Sequence, residues 1–237
     1  MLTAVVLQAR LDSTRLPNKA MLALPPAQDR ADGEPIIFRV MDALTRIPCD
    51  RYVLACPPDC AAAFAPFAER AGFEICTGPK EDVLSRYCNA IRVYSIDRVI
   101  RATGDNPFVF ADAASAINRE ARSLNADYAG YAGLPYGAGV ESIAAEALLR
   151  AEREAAAQPE REHVCPYLYN HPARFRLHRP LAPLIWQAPD MRLTIDTQED
   201  YDRAQDVYRA LSCAGPDQRF TGIRIIAAHR TAHNRGP

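Results

Sequence analysis

Short apolar runs alternate with helix-length amphipathic segments through the first half of the chain. Strands joined by helices of about 11 to 15 residues are connected by right-handed crossovers, which place the strands parallel to one another. The order therefore predicts an α/β fold with a mostly parallel, doubly wound sheet, built as a single domain over residues 1–237. The predicted strands are 5–7, 52–55, 73–76 and 98–102, and the predicted helices are 35–47, 59–71 and 81–95.

The alternation stops near residue 125. Tyrosines and glycines crowd residues 128–139, and a strand is predicted at 140–143. We expect residues 125–180 to form an excursion that covers a substrate and contributes to a dimer interface. Further helices are predicted at 144–157, 160–170 and 198–211, with extended segments at 174–178 and 191–195 and a turn-rich surface insertion at 25–34.

Composition argues against several classes of protein. The formal net charge of −1 is unlike that of a general nucleic-acid binder, which needs massed lysine and arginine. No apolar run approaches the roughly 20 residues that span a bilayer, and the first apolar run is broken by Gln8 and Arg10. The seven cysteines include no C-x-x-C pair, so we expect free buried thiols rather than a zinc or disulfide framework. The expected location is the cytoplasm.

A polar, basic loop follows the first predicted strand. It carries three cationic side chains, Arg10, Arg15 and Lys19, and two hydroxyls, Ser13 and Thr14. Guanidinium, ammonium and hydroxyl groups at this density suit phosphate oxygens. The alternative is a solvated surface loop.

Two aspartates stand at predicted strand ends, far apart in sequence. Asp105 follows the fourth predicted strand, and Asp196 precedes the predicted helix at 198–211. In open α/β sheets ligands gather at the carboxyl ends of strands, and Mg2+ takes one or two carboxylates plus phosphate oxygens. We therefore predict that the two aspartates share one Mg2+. The alternatives are structural: Asp105 closes a turn, and Asp196 or Thr197 caps a helix.

Five segments, taken together, resemble one known family. They are 8–19, 78–87, 101–107, 159–167 and 192–200, and they occur in the family's order. The family is that of the cytidylyltransferases that activate acidic sugars, of the acylneuraminate and 3-deoxy-manno-octulosonate type, and the pattern is similar to its spore-coat-polysaccharide branch. The resemblance implies a Rossmann-like sheet of the nucleotide-diphospho-sugar transferase type. It also implies CTP and a small acidic acceptor as substrates, Mg2+ as cofactor, and a homodimer.

The resemblance implies roles for individual side chains. Arg10, Arg15, Lys19 and Asp105 would be catalytic, with Asp105 and Asp196 as the metal ligands. The implied nucleotide-binding residues are Gln8, Ala9, Arg10, Ser13, Arg15, Lys19, Asp82, Ser85, Thr103 and Gly104. The implied acceptor-binding residues are Tyr136, Glu141, Arg161 and His163. For His163 the alternative is a packed or paired residue, and for Asp82 it is a helix cap.

The chain departs from the family's pattern at a few positions. Asp12 and Asn18 stand where the family usually has glycine; both side chains tolerate positive φ, but Asp12 adds negative charge beside a polyanion. Gln198 replaces a proline. Gly139 stands where the family often has an aspartate, so the acceptor set includes a small phosphate or phosphonate beside a keto-sugar acid.

The sequence thus predicts a CTP-dependent nucleotidyltransferase that attaches CMP to an acidic acceptor and releases pyrophosphate. One alternative is a metal-dependent glycosyltransferase on a similar fold, whose Asp-x-Asp motif would have to be Asp200-Tyr201-Asp202 in a predicted helix. The other is a degenerate nucleotide-binding module without catalysis. Only the nucleotidyltransferase requires metal-dependent release of pyrophosphate from a nucleoside triphosphate, so a measurement of that release separates it from the two alternatives.

Overall fold

A computed structural model of the chain describes residues 1–25, 33–212, 214–215 and 218–233. Most of the predicted turn-rich insertion, residues 26–32, lies outside the described residues, as does Cys213. The other six cysteines are free thiols. Among the described residues, no helix combines the length and apolar character that a membrane crossing requires.

The strands and helices follow the predicted alternation. The strands are β1 (Thr3–Gln8), β2 (Ala23–Leu24), β3 (Glu34–Pro35), β4 (Arg51–Cys56), β5 (Glu74–Thr77), β6 (Arg98–Thr103), β7 (Tyr128–Ala129), β8 (Glu141–Ala144) and β9 (Leu177–His178). The helices are α1 (Ile36–Leu44), α2 (Pro58–Ala71), α3 (Val83–Tyr94), α4 (Ala111–Ser123), α5 (Ala145–Glu154), α6 (Gln158–His163), α7 (Pro166–Asn170), α8 (Gln198–Leu211) and α9 (Gly222–His233).

Seven strands form the main sheet of the described chain, in the order β5-β4-β1-β6-β8-β7-β9. The four strands β5, β4, β1 and β6 are parallel, and β8 then pairs with β6 in the antiparallel direction. The predicted α/β fold with a mostly parallel, doubly wound sheet is confirmed. Strands β7, β8 and β9 lie within the range 125–180, so that range extends the main sheet rather than standing apart from it.

Both faces of the sheet are covered by helices, because alternate residues of the central strands are buried on opposite sides. In β1, Val5 and Leu7 pack in one core together with Ile37 of α1, whereas Ala4 and Val6 pack in the other with Leu84 of α3. All four β1 residues are fully buried. A parallel strand buried on both faces reads as a continuous apolar run, which explains why β1 was visible in the sequence.

The second half of the chain differs from the prediction where the backbone interrupts a segment that has the residue spacing of a helix. The predicted helix at 160–170 is wrong: it is broken into α6 and α7, because Val164 adopts a left-handed φ of 71° and Pro166 has no N–H to continue the ladder. The predicted extended segment at 191–195 forms only one bridge, between Tyr136 and Arg192. The N–H of Leu193 donates to the carbonyl of Tyr136 as part of that bridge, and the N–H of Ile195 donates to the carbonyl of Asp105.

Helix α8 has the predicted bounds, and a capping box begins it. The Thr197 hydroxyl accepts from the N–H of Asp200 at 3.2 Å, and the Asp200 carboxylate accepts from the N–H of Thr197 at 3.1 Å. The same carboxylate accepts from the N–H of Asp196 at 3.0 Å and pairs with Arg192. Thr197 is therefore the cap, and Asp200 fixes the backbone of Asp196.

We predict that Asp200→Asn lowers the free energy of unfolding by about 1 to 2 kcal/mol at neutral pH, because the charged partner of Arg192 is lost from a buried site. Burial opposes ionisation of Asp200, but Arg192 and the two N–H groups prevail and lower the pKa of its carboxyl below the usual 3.8. The ionised Asp200 carboxylate therefore stabilises the fold above pH 3.8, and this stabilisation is lost as the pH falls through the folded-state pKa.

Denaturant unfolding from pH 7 to pH 3 measures the effect. The stability difference between the wild type and Asp200→Asn should shrink towards the acid end. Asp202→Asn is the matched control, since Asp202 lies on the same helix but is exposed and bonds only Gln198. Equal effects of the two substitutions would contradict the capping-box argument.

Candidate functional site

A cleft of about 720 Å³ opens at the carboxyl ends of β1 and β6. The basic loop after β1 and the irregular residues 130–141 both line it. This is the edge at which open α/β sheets bind ligands. Most of the predicted site residues line it: Gln8, Ala9, Arg10, Ser13, Arg15, Lys19, Thr103, Gly104, Asp105, Tyr136, Glu141, His163 and Asp196.

The centre of the cleft is a contact between one lysine and two aspartates. The Lys19 ammonium donates to Asp105 Oδ2 at 3.0 Å and to Asp196 Oδ1 at 2.9 Å. It also donates to the carbonyl of Ile195 at 2.8 Å. The fold therefore brings the two predicted metal ligands to a single cation, although they are far apart in sequence.

Local backbone conformations make this contact possible. Asn18 adopts a left-handed φ of 53° directly before Lys19, so asparagine does serve at a position where the family usually has glycine. Gly104 precedes Asp105, and a Cβ there would lie 2.8 Å from the Cβ of Ala9. The β6 turn can thus approach the β1 loop only because residue 104 has no side chain.

Asp196 is the most strongly compensated carboxylate of the cleft. Besides Lys19, it contacts Arg15 at 2.9 Å and Arg192 at 2.7 Å, and its side chain is only 10% exposed. Burial alone would raise the pKa of the Asp196 carboxyl, but the hydrogen bond and charge of Lys19, followed by those of the arginines, lower it below the usual value. Asp196 is thus held ionised.

The donor set fits a magnesium ion in part. Asp105 and Asp196 supply hard carboxylate oxygens, the type that Mg2+ prefers, and both already face one shared cation. Within the described residues, no group of three or more histidine, cysteine or acidic side chains could form a complete protein cage. Such a pair suits an ion that takes its remaining ligands from water and phosphate oxygens.

The charge of Asp12 is neutralised across the cleft. Its carboxylate contacts Lys80 at 2.7 Å and Arg10 at 3.7 Å. Burial opposes ionisation, but Lys80 and Arg10 together lower the pKa of Asp12. The loop after β1 is therefore joined to the loop before α3 by an exposed ion pair, which is weak and easily exchanged for a phosphate.

Three predicted site residues lie outside the cleft lining, because they bind one another. Asp82 caps α3 by accepting from the N–H of Ser85 at 3.0 Å, and it accepts from Arg161 Nε at 2.7 Å. Arg161 also donates to the carbonyls of Glu152 and Ala155. Asp82 and Arg161 thus form a structural clamp between α3 and α6, while the nucleotide contacts of Asp82 and Ser85 and the acceptor contact of Arg161 stay predictions.

The remaining predicted acceptor-binding residues combine a paired carboxylate with exposed polar groups. Glu141 pairs with Arg101 at 3.0 Å across strands β6 and β8. His163 is exposed at the end of α6, and among the described residues its ring accepts or donates no hydrogen bond. Tyr136 is 63% exposed beneath the guanidinium of Arg192.

Sequence reasoning missed Arg179, which also lines the cleft. Its guanidinium stacks over the ring of Tyr169, 5.4 Å from the centroid, and it forms no ion pair with any described residue. Arg179 follows the short strand β9 in a segment without a recognisable motif. Only the parallel pairing of β9 with β7 brings it to the cleft.

Known proteins share both sequence and fold with this chain. A family model described as cytidylyltransferase matches residues 4–218. The spore coat polysaccharide biosynthesis protein SpsF of Bacillus subtilis is 32% identical over 235 residues, which cover 98% of this chain and 94% of that protein. A solved cytidylyltransferase from Leptospira borgpetersenii superposes with a TM-score of 0.86 at 21% identity, covering 99% of this chain and 96% of the other.

A second solved structure is a CMP:2-keto-3-deoxy-manno-octonic acid synthetase complexed with CTP. It superposes with a TM-score of 0.67 at 14% identity, covering 88% of this chain and 99% of the other. At these identities the two solved structures share the fold of this chain.

We predict that Lys19→Met raises the pKa of Asp196 and lowers the free energy of unfolding by about 2 kcal/mol, because two poorly exposed carboxylates lose their shared donor. A carboxyl with a lowered pKa stabilises the fold above its unfolded-state value, and this contribution disappears as the pH falls through the folded-state pKa. The stability difference between the wild type and the variant should therefore be largest at neutral pH and shrink as the pH falls through the folded-state pKa of Asp196.

Carboxyl NMR titration, with Asp196 assigned through Asp196→Asn, measures the shift. Arg15→Met is the matched control: Arg15 also lies 2.9 Å from Asp196, but its side chain is 63% exposed and should matter less. An unchanged Asp196 titration in Lys19→Met would show that the arginines alone hold the carboxylate ionised.

Proposed function

The chain belongs to the cytidylyltransferase family, and we propose that it is a CTP-dependent nucleotidyltransferase that attaches CMP to a small acidic acceptor. In this reaction an acceptor oxygen attacks the α-phosphorus, the bond to the α–β bridging oxygen breaks, and pyrophosphate leaves. The observation that carries the proposal is the contact of Arg15 and Lys19 with Asp105 and Asp196 at the carboxyl edge of the sheet, in a cleft that Arg10 also lines. The name of the Bacillus subtilis relative favours a role in polysaccharide biosynthesis.

The cationic loop is suited to a triphosphate. Arg10 and Arg15 bring guanidinium groups that match phosphate oxygens, and both side chains are substantially exposed towards the cleft. Lys19 is held at a fixed position by two carboxylates and a carbonyl. A positive charge fixed in advance stabilises the charge that grows on a leaving pyrophosphate.

Asp105 and Asp196 are the residues that would hold Mg2+. When bound, the ion would neutralise triphosphate charge and orient the phosphates. The capping box of α8 fixes the backbone of Asp196, and the Gly104 turn fixes Asp105, so neither carboxylate must be ordered at the moment of binding.

The acceptor side favours an anionic molecule. Arg179 faces the cleft without a carboxylate partner among the described residues, and the exposed ring of His163 lies on the same wall. Tyr128, Tyr131 and Tyr169 provide apolar faces around them. Gly139 contributes no acid to this wall, which suits a sugar acid or a small phosphate or phosphonate as the acceptor.

A homodimer in the cytoplasm stays a prediction. Leu181, Leu184 and Ile185 support it, because these large apolar side chains are exposed close to one another in sequence, at 72%, 83% and 59%. Apolar side chains clustered on a surface are typical of protein interfaces.

The alternatives receive less support from the structure. The Asp-x-Asp triplet of a glycosyltransferase would need Asp200 and Asp202 near the ligand, yet Asp200 is the buried capping residue of α8. Asp12, Asn18 and Gly139 are the departures that suggest a degenerate module, and two of them are accommodated: Asn18 adopts the required positive φ, and Asp12 is neutralised by Lys80 and Arg10.

We predict Mg2+-dependent pyrophosphate release from CTP in the presence of an acidic acceptor, in preference to UTP, GTP and ATP. A coupled pyrophosphate assay over these four nucleotides, run with panels of keto-sugar acids, phosphates and phosphonates, measures it. Preference for a purine nucleotide would contradict the cytidylyl assignment.

Asp105→Asn and Asp196→Asn test the shared metal site within that assay. Each should lower turnover roughly 100-fold or more, and the double variant should cost little beyond the worse single one, because residues that act as a unit are non-additive. Asp202→Asn, exposed on α8, is the matched control. Lower melting temperatures with an unchanged response to Mg2+ concentration would make the two aspartates structural.

For the acceptor, we predict that Arg179→Met raises the acceptor KM roughly tenfold and leaves the CTP KM unchanged, because a charge-assisted hydrogen bond to the acceptor is lost. Steady-state kinetics with each substrate varied in turn measure the two constants. Arg176→Met is the control, since Arg176 lies on the same segment but pairs with Asp127 on the surface. A larger effect on the KM for CTP than on the KM for the acceptor would show that Arg179 contacts the nucleotide rather than the acceptor.

A further inference from the structure

A buried arginine contacts the nucleotide wall of the cleft at Gln8. Arg86 lies on α3 and is 1% exposed. Its Nη1 donates to the carbonyls of Pro79 and Lys80 at 3.3 and 3.1 Å, and its Nη2 donates to Gln8 Oε1 at 3.0 Å. Arg86 thereby ties the side chain of Gln8 to the loop before α3.

This contact determines which way the Gln8 amide points. A guanidinium group has only donors, so the amide atom facing Arg86 must be the oxygen. The reverse orientation would set an NH2 group against a buried cation and leave a charged donor unpaired, which is costly. The amide nitrogen of Gln8 therefore points away from Arg86, and no described residue accepts a hydrogen bond from it.

The position of Gln8 assigns this free donor to one part of a nucleotide. Gln8 ends β1, two residues before Arg10, and lines the cleft beside Lys80 and Val83. Arg10, Arg15 and Lys19 follow Gln8 along the loop, Lys19 contacts the two aspartates, and the residues proposed for the acceptor belong to other segments of the lining. The wall around Gln8 is what remains for the nucleotide base, with Val83 as an apolar contact.

We propose that Arg86 is a positioning residue that fixes the Gln8 amide as a hydrogen-bond donor, and that this donor selects cytosine over uracil. Cytosine presents an unprotonated ring nitrogen, N3, which accepts a hydrogen bond, whereas uracil presents an N3–H, which cannot. The inference rests on the proposed function, because it requires a pyrimidine nucleotide in the cleft. A donor fixed in advance discriminates more sharply than one that can rotate.

Gln8→Glu tests the donor with little change in shape. A carboxylate would still accept from Arg86, but no N–H would remain for the base. We expect CTP to bind about tenfold more weakly, with UTP unchanged or tighter, so that the ratio of the two dissociation constants moves towards one. Titration calorimetry with CTP and UTP, in the presence of Mg2+ and without acceptor, measures both constants.

Arg86→Gln tests the positioning role. Glutamine has both a donor and an acceptor, so the Gln8 amide would no longer be held in one orientation, and the CTP-to-UTP ratio should fall while Gln8 is still present. Arg98→Gln is the matched control: Arg98 is also buried, at 5%, and donates to Ser142 and to the carbonyl of Ala126, away from the cleft. It should lower the melting temperature and leave the ratio unchanged.

The possible results distinguish a failure of this inference from a failure of the proposed function. If the wild type binds neither pyrimidine triphosphate, the proposed function fails. If the wild type prefers CTP and Gln8→Glu keeps that preference, the function stands and the inference is wrong. If Gln8→Glu loses the preference but a folded Arg86→Gln keeps it, the positioning role of Arg86 is wrong. Should Arg86→Gln fail to fold, Gln8→Glu alone decides whether the donor reads the base.

Discussion

The contact of Lys19 with Asp105 and Asp196 joins three of the segments that line the cleft. The ammonium group belongs to the loop after β1, and the two carboxylates belong to the turn after β6 and to the approach of α8. All three groups are poorly exposed, so each charge depends on the others for compensation. In the protein without ligand, the Lys19 ammonium and the two carboxylates thus compensate one another in a cleft that suits anionic and cationic ligands.

The central sheet and the charged centre were predictable because their signals are local. The apolar run of β1, the spacing of α3 and the capping residues of α8 each lie within one short segment. The carboxyl edge of a parallel sheet then brings the ends of β1 and β6 together by a general rule of the fold. The loop that carries Lys19 and the turn that carries Asp105 could therefore be placed at one edge of the sheet from the sequence, but the direct contact of Lys19 with the two aspartates was not predicted. The family resemblance is confirmed by the matched model.

The remaining site contacts join residues that carry no mutual signal. Asp82 and Arg161 stand inside family-like segments, yet each is the other's partner across 79 positions of sequence. Arg179 stands in no motif and reaches the cleft through a two-residue strand, which is too short to show alternation. The split between α6 and α7 depends on one left-handed residue, Val164, a conformation that valine rarely adopts and that its sequence context does not announce.

The pair between Arg101 and Glu141 has a mechanical consequence. It joins β6, which ends just before Asp105, to β8, which begins at Glu141, and the two strands are adjacent in one hydrogen-bonded ladder. Neighbouring strands keep a separation of about 4.8 Å, so the parts of the cleft that these two strands carry cannot hinge apart as two domains would. Their separation is set by the backbone, and only the loops at the rim of the sheet can adjust to molecules of different length.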